Sequence, residues 1–171
     1  MLTVGIMGVV MSIAMFQIGQ AQPSMKGDGA MRTMMAQLNT ARELSISQRR
    51  QMQVNFIGTS QIQIVRQEIP AGTTAFSTVA FEGGLQYGLI SGVPDTPDGF
   101  GTKAGGIAFG LATNILFNSD GTLIDQNGNP LNGTVFLAIP AVARSFRAVT
   151  ILGGTGRIRG YKWDGLHWVL A

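Results

Sequence analysis

The chain contains no cysteine and a single histidine, His167. Disulfides, thiolate metal sites and cysteine nucleophiles are therefore excluded, and no cluster of imidazoles can form. Charge is scarce as well: 12% of residues are Asp, Glu, Lys or Arg, about half the share usual in a soluble domain. No charged residue occurs before Lys26. The one stretch that suggests a nucleotide loop, "VTILGGTGRIRG" (149–160), lacks the parts such a loop needs. Arg159 stands at the third-glycine position, and the eleven residues after Gly160 leave no room for a crossover helix or a ribose-binding carboxylate.

Candidates for catalysis are equally thin. His167 sits beside Trp168 with no serine elbow in reach, and Asp95 and Asp98 lie in a glycine-rich loop next to Pro94 and Pro97, as turn residues do. Asp120, Asp125 and Asn127 lack the glycine and terminal glutamate of a calcium loop and fit hairpin turns. The residues indicate no enzyme, no metal and no cofactor.

What is present is apolar and glycine-rich: 45% hydrophobic residues and 24 glycines in 171 residues, enough for one domain with a sizeable core and many turns. "MLTVGIMGVVMSIAMF" (1–16) is apolar but for Thr3 and Ser12. As a helix it would span roughly 24 Å, short of the ~30 Å of a bilayer core. It fits a shortened membrane helix, a signal-peptide core ending near Gly19–Gln22, or a buried helix. Gly8 and Ser12 have the small-xxx-small spacing that lets helices approach closely in a membrane or filament.

Beyond Pro23 and the Gly27-Asp28-Gly29 segment, where a kink or break is expected, Met31, Met34, Met35, Leu38, Ala41 and Leu44 recur at three- and four-residue spacing. That predicts an amphipathic helix over about 30–50, its methionine stripe on a sheet. The period then changes to two. "QMQVNFI" (51–57) and "QIQIVRQEI" (61–69) flank Gly58-Thr59-Ser60 as an antiparallel hairpin. Further strands are expected at 115–117, 134–139, 147–152, 157–163 and 167–170. Residues 70–113 read as long surface loops with one or two edge strands.

The order of apolar helix, amphipathic helix and antiparallel sheet is that of type IV pilin-like subunits, an α+β fold. Three stretches narrow the likeness: "MLTVGIMGVVMSIAM", "LNTARELSISQRRQMQVNF" (38–56), and "ILFNSDGTL" with "RAVTILGGTGRIR". On these the chain resembles the GspH/FimT family of minor pseudopilins and minor pilins. The resemblance implies a membrane and filament-core helix over residues 1–24 and a globular domain over 25–171. It implies a structural subunit of a type II secretion pseudopilus or type IV pilus, held in the bacterial inner membrane by a single pass with its domain in the periplasm. Partners would be other pilin or pseudopilin subunits and the prepilin peptidase. The leader glycine, aromatic and glutamate of that family are absent, and the register places the glutamate just before Met1, so a start about a turn and a half upstream is expected. The alternative is a soluble exported β-protein with a cleaved signal peptide.

The C-terminal part is basic: Arg144, Arg147, Arg157, Arg159 and Lys162 against Asp164 alone. On a strand Arg157 and Arg159 share a face, with Lys162 expected within reach on an adjoining turn. In FimT-like members a closing Gly-Arg-x-Arg is implied to contact double-stranded DNA without sequence preference, and residues 156–159 match it. A solvated strand face or a salt bridge to another subunit is the competing reading.

Overall fold

A computed structural model describes residues 2–112 and 114–171, with side chains from Gln22 onward. One helix, α1 (Leu2–Gln48), is followed by eleven strands in two antiparallel sheets. In the first sheet the order is β3 (Thr73–Ala80), β2 (Gln61–Gln67), β1 (Met52–Ile57), β6 (Ile115–Phe117), β7 (Leu123–Ile124). The second runs β11 (Trp168–Leu170), β10 (Arg157–Trp163), β9 (Val142–Leu152), β8 (Gly133–Ile139), β4 (Gln86–Tyr87), and β5 (Ile107–Ala108) also pairs with β8. The α+β arrangement expected from the sequence, a helix packed on antiparallel strands, is the one observed, with its single sheet divided in two.

The helical stripe does what its spacing requires. Met31, Met34, Leu38 and Ala41 are buried, with Met35 and Leu44 packed at the margin. They meet Met52, Val54, Ile62 and Ile64 from the first sheet and Val135, Leu137, Val149 and Ile151 from the second. Each fully buried side chain of this kind stabilises the fold by about 1.5–3 kcal/mol. One helix thus closes the inner faces of both sheets. It ends where Arg49 takes φ 51° and the Arg50 N–H donates to the Ser45 carbonyl.

Of the kink or break expected between Pro23 and Gly29, the break does not occur: α1 is continuous with Pro23 inside it. Contacts from β9 outweigh the local helix-breaking tendency. Gly27 lies so close to β9 that a side-chain carbon there would come within 2.5 Å of the Ser145 carbonyl oxygen. Asp28 and Ser24 are both bonded by Arg147. Among the described residues no helix is long and apolar enough to cross a membrane. The expected membrane half, with Gly8 and Ser12, has its side chains outside the described residues.

Of the region 70–113, β3 is an edge strand, as expected, and residues 88–104 lie over the outer face of the second sheet. There Leu89, Ile90 and Val93 pack on a second cluster of Phe136, Ala138, Phe146, Ala148, Tyr161 and Trp163, with Trp168 beside them. Phe146 and Trp168 have ring centroids 5.1 Å apart, Trp163 and Trp168 5.3 Å. The Trp168 indole N–H donates to the Pro94 carbonyl at 2.9 Å and fixes the loop to the aromatic layer.

Candidate functional site

The five basic residues of the C-terminal segment do not form one patch. Side chains alternate along a strand, and β10 presents Arg157, Arg159, Tyr161 and Trp163 outward, away from α1, while Ile158 packs toward the helix. Lys162 shares the parity of Ile158. It lies in the strand rather than on an adjoining turn, and lines a groove beside α1 with Asp28, Met31, Arg32 and Met35. Arg144 is exposed near the start of β9, while Arg157 pairs with Leu152 at the far end of that strand. Eight residues of strand separate the two positions, about 26 Å.

Arg147 is not a surface residue at all. Its side chain is fully buried, on the same face of β9 as Val149 and Ile151. It spends its donors on Asp28 Oδ1 (2.6 Å), the Ser24 carbonyl (3.0 Å) and hydroxyl (2.9 Å), and the carbonyls of Arg144 (3.0 Å) and Phe146 (2.8 Å). A buried guanidinium is tolerated only when its charge is paired and its N–H groups are bonded, and here both conditions hold. Strand periodicity carried the signal for this: residue 147 falls on the core face of β9.

Arg159 is neutralised from within. Its guanidinium donates to Asp98 Oδ1 at 3.0 Å, and the other oxygen of Asp98 accepts from the Thr150 hydroxyl at 2.6 Å. Burial opposes ionisation of Asp98, but hydrogen bonds from Thr150 and Tyr161 and the nearby Arg159 outweigh it and hold its pKa below the ordinary aspartate value. Asp98 thereby latches the 88–104 loop onto β9 and β10. Nothing in the local sequence around Asp98 announces this, because its partners lie 52 and 61 residues away. Of the cations expected at a DNA surface, Arg157 is exposed and makes no ion pair among the described residues, whereas Arg159 is half-engaged.

The other polar candidates serve turns. Asp95 accepts from the backbone N–H of Thr96 and Gly101, Asp125 from Asn127 and Asn129, Asp120 from Thr122, and Asp164 from Leu166 and His167.

Two of the three stretches that carry the family resemblance meet in space. Arg42 Nε, from the Ala-Arg pair of α1, donates to the Gly121 carbonyl of the Asp-Gly turn at 3.2 Å. Its terminal nitrogen donates to the Thr155 carbonyl of the glycine cluster, also at 3.2 Å. Gly156, at φ +63°, packs directly on the Gly121 carbonyl and Arg42, so no side chain fits there. One arginine from the helix thus joins two turns that are 79 and 113 residues away in the chain.

No family model matches the chain, and no match is found among curated proteins. Solved structures do match. The type IV minor pilin FimU of Pseudomonas aeruginosa superposes with a TM-score of 0.52 at 18% identity, covering 77% of this chain and 84% of that one. The minor pseudopilin EpsH from the type 2 secretion system of Vibrio cholerae gives 0.53 at 13% identity, covering 82% and 97%. At such identities the likeness concerns architecture, and that architecture is the N-terminal helix on an antiparallel sheet already described. The chain has the fold of the type IV minor pilins and minor pseudopilins, as its resemblance to the GspH/FimT family implied.

Proposed function

We propose that this chain is a minor structural subunit of a bacterial type IV pilus or type II secretion pseudopilus. Before assembly it is held in the inner membrane by the N-terminal half of α1, with its globular domain in the periplasm and a leader removed by the prepilin peptidase. The observation that carries the reading is the helix itself: 47 residues without interruption, of which the part from Gly27 onward is buried on both sheets. At 1.5 Å per residue such a helix is about 70 Å long, far more than this domain needs to close its core. The apolar sequence of residues 1–16 suits a lipid or helix-packed environment. The reading assigns no catalytic role.

The test is incorporation. An epitope-tagged full-length chain, expressed in its own cells, should sediment with membranes before assembly and appear in sheared pilus or pseudopilus fractions as a low-abundance subunit. Recovery as a free soluble protein with a mature N-terminus near Gln22 would instead establish the exported-protein alternative.

Exposure of Arg157 beside the half-engaged Arg159 favours a second reading, weak sequence-independent DNA contact. It is narrower than the sequence suggested, because Arg147 and Lys162 are withdrawn from that face.

A further inference from the structure

The chain contains two Asn-Gly steps, Asn127-Gly128 and Asn132-Gly133. In such a step the asparagine side-chain carbonyl carbon stands one ring closure away from the next backbone nitrogen, and glycine has no side chain to shield that nitrogen. Asparagine is accordingly among the thermolabile residues. The fold treats the two steps oppositely. Gly133 opens β8, is buried, and pairs with Ile151. The Phe109 ring lies against it where a side-chain carbon would stand, and Asn132 Oδ1 accepts from the Gly153 N–H at 2.7 Å. To reach the Gly133 nitrogen the Asn132 amide must give up that bond, and β8 must lift.

Asn127 stands in the turn between β7 and β8, where residues 126–130 are all exposed. The Asp125 N–H donates to the Asn129 carbonyl at 2.9 Å, and the Gly128 N–H donates to the Asp125 carbonyl at 3.2 Å, the long end of the hydrogen-bond range. The Asp125 carboxylate accepts from the backbone N–H groups of Asn127 at 2.8 Å and Asn129 at 2.9 Å, and the Asn127 side-chain amide adds a further hydrogen bond there. All of these bonds lie at the surface, and exposed turn bonds open at little cost without disturbing the core. Gly128 has φ 84°, and among the described residues no atom lies within 4 Å of the place a side-chain carbon would take. A ring formed across residues 127 and 128 therefore meets no obstacle.

We propose that Asn127 is a self-modification site, at which the chain deamidates with water as the only co-reactant, while Asn132 is protected by the fold. Solvent base removes the Gly128 amide proton, and the nitrogen attacks Asn127 Cγ. The Cγ–Nδ2 bond then breaks and the amide leaves as ammonia, which closes a succinimide. Water adds to one of the two ring carbonyls and opens the ring, to isoaspartate or to aspartate; nothing is oxidised or reduced. Either product lowers the formal net charge of +3 by one and sets a carboxylate beside that of Asp125, where like charges repel. Isoaspartate also inserts a methylene into the main chain. The bridge between Ile124 and Pro130 and the bond from the Leu131 N–H to the Leu123 carbonyl, which together carry β7 toward β8, must then reorganise.

The test compares the full-length chain with itself, folded and unfolded in urea, during incubation at 37 °C and pH 8. Mass spectrometry with fragmentation separates positions 127 and 132, and labelling by an isoaspartyl methyltransferase gives a second readout. In urea the two positions should react at similar rates, because both are then plain Asn-Gly steps. In the folded chain Asn127 should keep its rate within tenfold of the unfolded value, and Asn132 should react at least tenfold more slowly than Asn127. Isoelectric focusing should show one acidic species growing in with time, and Asn127→Gln, at an exposed position, should remove it. A folded-state rate at Asn127 more than tenfold below its unfolded rate, or a lead over Asn132 of less than tenfold, overturns the site. Neither outcome bears on the filament-subunit reading.

Discussion

Arg147 shows how far a side chain's role depends on which face of a strand it occupies. By type it belongs with Arg144, Arg157 and Arg159 in a basic tail; by position it is a buried tie between β9 and α1, with Asp28 at 2.6 Å. Removing one member of a buried pair leaves the other without compensation, at about 3–5 kcal/mol when both are fully enclosed. Asp28 is 35% exposed and can rehydrate, so Arg147→Ala should destabilise by the lower end, about 3 kcal/mol, measured as a shift in urea midpoint at constant slope. A change under about 0.5 kcal/mol would show that Arg147 is not the tie described. The sequence contained the clue in the parity of residues 147, 149 and 151, but the partner, 119 residues away, was not readable.

At the scale of elements, the 88–104 segment, which the sequence suggested was long surface loop, packs on the second sheet. It covers an aromatic layer and is fastened by Asp98. Because the folded pKa of Asp98 is depressed, the unfolded chain binds the proton more readily. The carboxylate's contribution is therefore present above the unfolded value of about 4 and is lost as pH falls through the folded value. Asp98→Asn should lower Tm by roughly 2–4 °C at pH 7, as for a single partly exposed pair. That difference should shrink toward zero as pH falls through the depressed value of the folded state. Trp163 and Trp168 both belong to the covered layer, and they are the protein's two tryptophans, so intrinsic fluorescence follows the loop directly. A difference that stays constant between pH 7 and pH 2 would rule out the ionised latch.

For the whole molecule, the arrangement of charge decides what the basic tail can do. Net charge is only +3, and the fold sends Arg147 into the core, Lys162 toward α1 and Arg144 to the other end of β9. Within the basic tail, that leaves Arg157 and the free side of Arg159 to carry the proposed DNA contact. Duplex binding should then be weak, and log affinity should fall linearly with log salt. Arg157→Ala should flatten the slope by about 0.9 and Arg159→Ala by less, since Asp98 already neutralises it. A gel-shift titration at low and moderate salt measures both. No shift of the unmodified protein at low salt removes the DNA reading and leaves the structural one.

The helix, the first hairpin and the strands at 115–117 and 157–163 were determined by the sequence alone, because periods of 3.6 and 2 are local properties of side-chain direction. Turn residues fixed the hairpin ends for the same reason. What only the tertiary structure decided were the features that depend on long-range partners. Helix α1 stays continuous past Pro23 because β9 grips Ser24 and Asp28. One expected sheet became two, and a single helix packs on the inner faces of both. The loop carrying Asp98 became a cover because Thr150, Arg159 and Tyr161 stand opposite it. Arg42 unites two distant turns through backbone carbonyls, which accept hydrogen bonds whatever residue bears them, so the pairing itself was not readable in the sequence.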